Sequence, residues 1–203
     1  TSNRLLHGQI PHVDFSSVRP VGYAFLHIPE LLISKNHVYL ISRYVFWFEQ
    51  VCIAFLWVRF ILCYSKIRIS IIQKYILVVI VFFLNVHYFP ASVLHTIDGL
   101  LMCVIGLSII ISQNKYSLIG FFIIGFAALC KQNFILFLPI AIILLGRKNW
   151  LNNILIGILP IVLYICVISM FGGFYQLKAQ LTTHHEFFSI GISTYIKSRL
   201  FFA

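Results

Sequence analysis

The chain has 203 residues, of which 61% are hydrophobic and only 10% are charged, whereas soluble domains carry about 25% charged residues. This composition excludes a soluble globular domain and predicts an all-α protein, a polytopic bundle of transmembrane helices. Its 15 Lys and Arg residues outnumber its 5 Asp and Glu residues, but they lie in short clusters between apolar runs, as orientation signals do, so nucleic-acid binding is not expected.

The longest polar stretch is residues 5–20, LLHGQIPHVDFSSVRP. Three helix-breaking residues interrupt it, namely Gly8, Pro11 and Pro20. These residues predict an irregular loop that faces water. Asp14 lies there between two possible cations, His12 and Arg19, and a membrane enzyme would keep its chemistry in such a loop.

The segments that follow are mostly apolar. Residues 21–34 are shorter than the roughly 20 residues needed to cross a bilayer, so we expect a short juxtamembrane helix in the interface, with Pro20 at its first turn and a kink at Pro29. Spans are then predicted at 37–64, 75–88 with a start as early as 69, 98–112 with a start as early as 92, and 150–171.

Residues 116–145 are apolar except for KQN at their centre, which includes Lys131. They could form one long span with a buried lysine or a hairpin of two short helices. Loops rich in Lys and Arg stay in the cytoplasm. If the basic loop at 66–74 is cytoplasmic, Lys115 is cytoplasmic too. The basic pair 147–148 then lies on the same side only when the chain crosses the membrane twice between Lys115 and that pair. The hairpin makes two crossings and the single span makes one, so the charge pattern favours the hairpin.

We therefore expect one membrane domain of about six spans. Residues 1–34 would form an extracytoplasmic loop and interfacial helix, 37–171 the transmembrane helices, and 172–203 an outer segment. The chain starts without Met and stops on an apolar stretch, so truncation at both ends is expected. The predicted location is the bacterial inner (plasma) membrane, in contact with membrane lipid, with both polar ends extracytoplasmic.

This topology brings several reactive side chains to the outer side. Asp14 could act as a general base or bind a divalent cation, or it could close an Asx-type turn. Asp98 could line the same outer cavity, or cap the helix that it begins. Lys131 could bind a phosphate, or extend from a helix end to the interface.

Other polar residues allow simpler interpretations. Arg4, Arg19 and Lys178 could meet phosphates, but exposed loop positions are the simpler explanation. His184, His185 and Glu186 lack the spacing of a metal site, and we interpret them as part of a solvated loop. Glu49 is expected to be a buried core group without a role. No metal site is predicted, and the five cysteines are expected to be packing residues.

The order of these features resembles the GT-C superfamily of polytopic glycosyltransferases, which includes the protein O-mannosyltransferases and the bacterial aminoarabinose transferases. The segment LLHGQIPHVDFSSVRPVGYAFLHIPELLI is similar to the first outer loop of that family. HTIDGLLMCVIGLSIII is similar to its second outer turn, and GFFIIGFAALCKQNFILFLPIAIILL is similar to its glycine-rich hairpin. The resemblance covers approximately residues 5–171.

The resemblance implies a transferase that takes a sugar from a polyprenyl-phosphate donor at the outer face. It implies Asp14 as the loop acid, Asp98 as the acid of the second outer turn, and Lys131 as the cation that faces the donor phosphate, aided by Arg4 or Arg19. A further acid that many members carry before this loop is missing, so the base could lie upstream of Thr1.

Two other interpretations stay open. A non-catalytic protein of surface-polysaccharide export or polymerisation would bind a lipid-linked glycan without needing an acid at Asp14. A structural subunit or an inactive transferase fragment would depend neither on a lipid-linked glycan nor on an acid at Asp14. The sequence names neither the sugar nor the acceptor.

Overall fold

The computed structural model describes residues 1–17, 19–33, 36–88, 95–112 and 116–182. In these residues the predicted all-α class is confirmed, and the secondary structure is helical. In chain order the helices are α1 Ser2–Leu6, α2 Gly22–Leu26, α3 Ile28–Ile33, α4 Val38–Ser65, α5 Ile71–Tyr88, α6 His95–Ser112, α7 Ser117–Cys130, α8 Phe137–Leu145, α9 Trp150–Met170 and α10 Phe174–Thr182. Short 3-10 turns occupy Gln132–Leu136 and Arg147–Asn149.

Within the described ranges, three helices are long and apolar enough to cross a membrane, namely α4, α6 and α9. At about 1.5 Å per residue, the 28 residues of α4 exceed the roughly 30 Å hydrocarbon core. The apolar segments Ile71–His87, Ser117–Cys130 and Gln132–Leu145 are shorter. Large apolar side chains on the outer faces of α5 and α9 are exposed in the isolated chain, as lipid-facing residues would be.

The centre of the bundle depends on close contact between helix backbones. In α6 and α7, which run antiparallel, Gly106 lies against the carbonyl oxygen of Gly120. In α7 and α9, a Cβ atom at Gly125 would lie only 1.7 Å from the carbonyl oxygen of Gly157. Small residues at helix crossings allow this approach in membrane proteins, where dispersion contacts drive association.

The helical path breaks at KQN. Helix α7 ends at Cys130, and Lys131 has an extended backbone with φ −155° and ψ 127°. A 3-10 turn and α8 follow, and α8 returns so that Gly146 packs beside Phe121 at the start of α7. A continuous helix over 116–145 is therefore wrong, and the chain reverses here.

The interfacial helix differs from the prediction. It consists of α2 and α3, which are separated at His27. Pro29 falls in the first turn of α3, where its missing N–H costs no helical hydrogen bond, so it starts a helix and does not kink one. The loop before α2 is irregular as predicted, but Pro11 and Phe15 are buried, so it does not simply face water.

The two ends of the bundle have different chemistry. At one end α2 packs on Leu129 of α7, Phe134 packs on Gly99 of α6, and Val13 packs on Gly173. This end therefore gathers the opening loop, the start of α6 and the KQN turn. At the other end, Lys148 and Asn149 line a cavity of about 300 Å³ with Ser117 and Asn153.

We expect the substitution Gly125→Ala to destabilise the bundle. Inside a helix this change alone would stabilise by about 0.5–1 kcal/mol, but the new methyl group would collide with the backbone of α9. We therefore expect a net loss of about 1–3 kcal/mol, typical of overpacking, measured as unfolding free energy in detergent. Val79→Ile on the exposed face of α5 is the control and should change little. An unchanged or raised stability for Gly125→Ala would contradict the packing.

Candidate functional site

A histidine between two carboxylates joins the short helices α2 and α3 to the long helices α4 and α6. The Nδ1–H of His27 donates to Glu30 Oε1, and its Nε2–H donates to both carboxylate oxygens of Asp98 at 3.1 and 3.2 Å. The other oxygen of Glu30 accepts a hydrogen bond from the hydroxyl of Ser42 on α4. One imidazole thus connects α2, α3 and α6, and Glu30 extends the connection to α4.

The charge state of His27 follows from these partners. Burial alone lowers the pKa of an imidazole, and it does so here. The hydrogen bonds and negative charges of Asp98 and Glu30 outweigh burial and raise the pKa of His27 to about 9. Both ring nitrogens donate, so His27 is an imidazolium ion that balances buried negative charge.

Asp98 has a different role from the helix cap that its position suggested. It lies in the first turn of α6, which begins at His95, and its side chain is fully buried against His27. Glu49 on α4 is buried as predicted, and it lies close enough to Asp98 for their carboxyl groups to act on each other. No feature of the sequence predicted that Glu49 would belong to this group.

Two cations meet at the start of α6. The guanidinium of Arg19 donates to Nδ1 of His95 at 2.8 Å, and the ammonium group of Lys131 donates to the hydroxyl of Thr96 at 3.1 Å. An arginine can only donate, so His95 accepts here and is neutral. Burial, and after it the charge of Arg19, lowers the pKa of Lys131.

An apolar groove is lined in part by the residues that directly follow these two cations in the sequence. It has a volume of about 140 Å³ and lies between α7, α9 and α10. Its lining includes Pro20, Leu129, Gln132, Ile161, Leu177 and Leu181. Pro20 follows Arg19 and Gln132 follows Lys131 in the sequence, so the groove and the two cations share their supporting segments.

Asp14 and Arg4 lie elsewhere. They line an open groove of about 430 Å³ together with Asn3, His7 and Gln9. One oxygen of Asp14 accepts the backbone N–H of Ile10 at 2.6 Å, which closes the loop as the turn interpretation predicts. The guanidinium of Arg4 lies over the ring of Phe15 at 5.3 Å, so Arg4 accompanies Asp14 and not the other two cations.

His12 is not the second cation of the opening loop. It is buried, and its Nδ1 bonds to the side-chain oxygen of Gln180 at 2.6 Å while its Nε2 bonds to the hydroxyl of Tyr164 at 2.8 Å. Because Gln180 offers an oxygen, Nδ1 carries the proton and Nε2 accepts from Tyr164. Burial lowers the pKa of His12, opposed by the Gln180 hydrogen bond, so the ring is neutral.

Side-chain contacts link these groups along one end of the bundle. Asn3 lines both the Asp14 groove and a cavity of about 280 Å³ that includes His27 and Glu30. Tyr23 lines the same cavity and packs edge-on against His95, with ring centroids 6.1 Å apart. The predicted outer residues are therefore neighbours on one end, but Asp14, Asp98 and Lys131 occupy three separate surroundings.

Metal ligation has no support in the part of the chain that the structure describes, where no three His, Cys, Asp or Glu side chains are placed to hold an ion. The divalent cation considered for Asp14 therefore has no ligand set among these residues. His184, His185, Glu186 and Lys115 lie outside the described residues. Lys178 is exposed on α10.

The sequence reasoning missed His27 and Glu30. Their spacing, HIPE, places them three residues apart, which brings side chains together on one helical face. Three of the five acidic residues, Glu30, Glu49 and Asp98, lie in otherwise apolar surroundings, where an ionisable residue usually has a partner. That signal was available, but it did not indicate which residues would pair.

We expect Tyr164→Phe to destabilise the opening loop. Removing the hydroxyl leaves Nε2 of the buried His12 without its donor, and an unsatisfied buried acceptor costs about 1–3 kcal/mol. The effect would appear as a lower unfolding free energy in detergent and as faster proteolysis within residues 7–20. Tyr175→Phe, at an exposed tyrosine of α10, is the matched control. Equal stability of the two variants would show that the His12 contact is not stabilising.

Comparison with known proteins adds no relative: no protein-family model, no curated protein and no solved structure matches this chain. The cation pair at the start of α6, the apolar groove beside it and the Asp14 loop are the features on which a function can be built.

Proposed function

We propose that the chain is a membrane glycosyltransferase of the GT-C type, which moves a sugar from a polyprenyl-phosphate-linked donor to an acceptor at the extracytoplasmic face. The observation that carries this proposal is the meeting of Arg19 and Lys131 at the first turn of α6. These two cations come from segments more than one hundred residues apart, and folding brings them to one place.

The electrostatics at this place favour an anion. Within the described residues, His27 forms ion pairs with Glu30 and Asp98, and neither of these two cations takes part in an ion pair. Like charges held close together repel each other, and the repulsion is relieved when a negative group binds between them. A phosphate group offers several acceptor oxygens, which suit a guanidinium and an ammonium together.

The adjoining groove supports a lipid as the carrier of that phosphate. Its lining is mostly aliphatic, and Pro20 and Gln132 connect it directly to the cation-bearing segments. A chain of isoprene units would bury apolar surface there at about 25 cal/mol per Å². A donor with a phosphate head and an apolar tail therefore fits the cations and the groove together.

The chemistry that we propose is a single displacement. The acceptor hydroxyl gives its proton to a carboxylate, its oxygen bonds to the anomeric carbon, and the bond from that carbon to the phosphate oxygen breaks. The electron pair leaves on the polyprenyl phosphate, whose charge Arg19 and Lys131 stabilise. Asp14 is the exposed acid of the opening loop and serves as the base. Asp98, which is buried against His27, holds the opening segment in position.

The proposed topology has about six spans in the bacterial inner membrane, with α5, α7 and α8 crossing in addition to α4, α6 and α9. Charge bias supports it, because Lys148 lies at the end of the bundle away from Lys131. Short helices such as α7 and α8 would require a cavity or a locally thinned bilayer at the KQN turn.

Replacing the cations one at a time tests donor binding. We expect Arg19→Gln and Lys131→Gln each to lower sugar transfer from a polyprenyl-phosphate-linked donor at least about tenfold, because each removes a charge-assisted contact of about 1.5–3 kcal/mol. Retention of radiolabelled polyprenyl phosphate by the purified protein should fall in parallel. Retention of polyprenol, which lacks the phosphate, should not change. Lys148→Gln at the other end of the bundle is the matched charge control, and equal behaviour of the three variants would end the proposal.

A second candidate is a non-catalytic protein that binds lipid-linked glycan for export or polymerisation. The observation that favours it is the hydrogen bond from Ile10 N–H to Asp14, which gives this carboxylate a structural use. Such a protein would need the cation pair and the groove but no base.

Two substitutions at Asp14 separate these candidates. Asp14→Asn keeps an oxygen that can accept from Ile10 but removes the charge, whereas Asp14→Ala removes both. For a transferase, both variants should lose transfer by about 10²–10⁴-fold, the contribution of a general base, while donor retention is kept. For the binding protein, Asp14→Asn should match the unmodified chain, and only Asp14→Ala should loosen the loop, read as faster proteolysis.

A further inference from the structure

Four ionisable side chains occur together beneath the opening loop. They are His27 at the end of α2, Glu30 on α3, Glu49 on α4 and Asp98 on α6. Each of them is at most 7% exposed. Other titratable groups that face this cluster include Tyr23, across the cavity on α2, Cys52 beside Glu49 on α4, and Cys130 from α7, and Thr1 lines the same cavity.

The charges of the cluster do not balance if every acid is ionised. Three carboxylates would face one imidazolium, and a buried net negative charge is costly because it loses hydration without full compensation. Glu49 and Asp98 also lie within mutual interaction range. Two carboxyl groups this close are stabilised when they share a proton.

Buried polar atoms beside the cluster give an independent sign of the same requirement. Oε2 of Glu49 has no hydrogen-bond partner, and neither amide atom of Gln50 has one, although Gln50 is only 1% exposed. Such atoms are rare in folded proteins unless a water or a proton completes them. Glu49, which interacts with Asp98, thus has a buried oxygen whose hydrogen-bonding capacity is unused.

The cluster adds polar contacts to the apolar packing of the opening segment. Glu30 accepts a hydrogen bond from the hydroxyl of Ser42 on α4, and His27 donates to Asp98 on α6. The segment 19–33 therefore lies on the spans both through these hydrogen bonds and through apolar contacts such as that of Gly22 with Leu129. The hydrogen bonds, unlike the apolar contacts, depend on the protons that His27 and the acids carry.

We propose that His27, Glu30, Glu49 and Asp98 form a buried proton-binding site that clamps the α2–α3 helices onto α4 and α6 and releases them when it loses its protons. The ligand of this site is the proton itself. The proposal concerns docking of the opening segment and does not rest on the proposed transferase activity, so either can fail alone.

The direction of the pH effect follows from His27. Its pKa is about 9 in the folded chain, compared with 6.5 for an unperturbed imidazole. A raised pKa means that the stabilisation is complete below pH 6.5 and is lost as the pH rises through about 9. Loss of that proton leaves three carboxylates facing one another without a cation, so the clamp opens on the alkaline side.

A buried reporter tests this proposal in the whole chain. Ala24 on α2 is fully buried, whereas the next residue, Phe25, is 48% exposed. Single cysteines would be placed at these two positions after replacing Cys52, Cys63 and Cys166 by serine. The two remaining cysteines, Cys103 and Cys130, are fully buried and would be kept. Labelling with a membrane-impermeant maleimide would be followed from pH 6 to pH 10.

Dividing the labelling rate at Ala24→Cys by the rate at Phe25→Cys cancels the pH dependence of the reaction between the thiol and the maleimide. We expect this ratio to be low below pH 8 and to rise at least about tenfold through pH 9. In a His27→Gln background the ratio should be high and independent of pH. Glu30→Gln, which keeps hydrogen-bonding atoms but removes one charge, should shift the midpoint to lower pH.

His7→Gln is the matched histidine control, because His7 is exposed and its ring bonds to the backbone of its own turn. It should leave the midpoint unchanged. If the ratio does not change from pH 6 to pH 10 in the chain whose cluster residues are unmodified, that result alone overturns the proposal. A rise that persists unchanged in His27→Gln would also overturn it, since another group would then be responsible.

Discussion

The contact of His27 with Glu30 and Asp98 is the interaction on which the end of the molecule that carries the opening loop depends. An imidazolium between two carboxylates can be buried because each charge has a partner and each ring proton has an acceptor. The contact holds one end of α2, and Arg19 lies three residues before the other end, where its guanidinium donates to His95.

The second constraint is the close approach of the helix backbones. Glycines at the α6–α7 and α7–α9 crossings let α7 lie deep in the bundle, and α7 then ends beside the first turn of α6. Lys131 is the first residue after that helix, so its distance from Thr96 is fixed by the packing of Gly106 on Gly120. A bulkier residue at either glycine would move the lysine as well as the helix.

Hydropathy and charge predicted much of this fold. The first span begins at Val38 and the last ends at Met170, each within one residue of the expected limit, because long apolar runs have a strong and local signal. The break at KQN was also indicated, since only a hairpin leaves the basic residues at 66–74, 115 and 147–148 on one side of the membrane.

The pairing of buried polar groups was not predictable in the same way. Asp98 stands where local rules favour a helix cap, but its partner, His27, is seventy-one residues away in the chain. His12 was considered as a cation because its neighbours in sequence are polar, yet Tyr164 and Gln180 bury it. Only tertiary contacts decide such cases, and one sequence without its fold contains no record of them.

The two aspartates expected to act together illustrate how environment separates identical groups. Asp98 is enclosed, and withdrawing it from His27 would remove the hydrogen bonds that join α2 to α6. Asp14 is exposed, uses one oxygen to close its turn, and lines an open groove with Arg4. A base has to reach an acceptor that arrives from water. Of the two aspartates, Asp14 can do so without dismantling the opening segment, while Asp98 is committed to holding that segment in place.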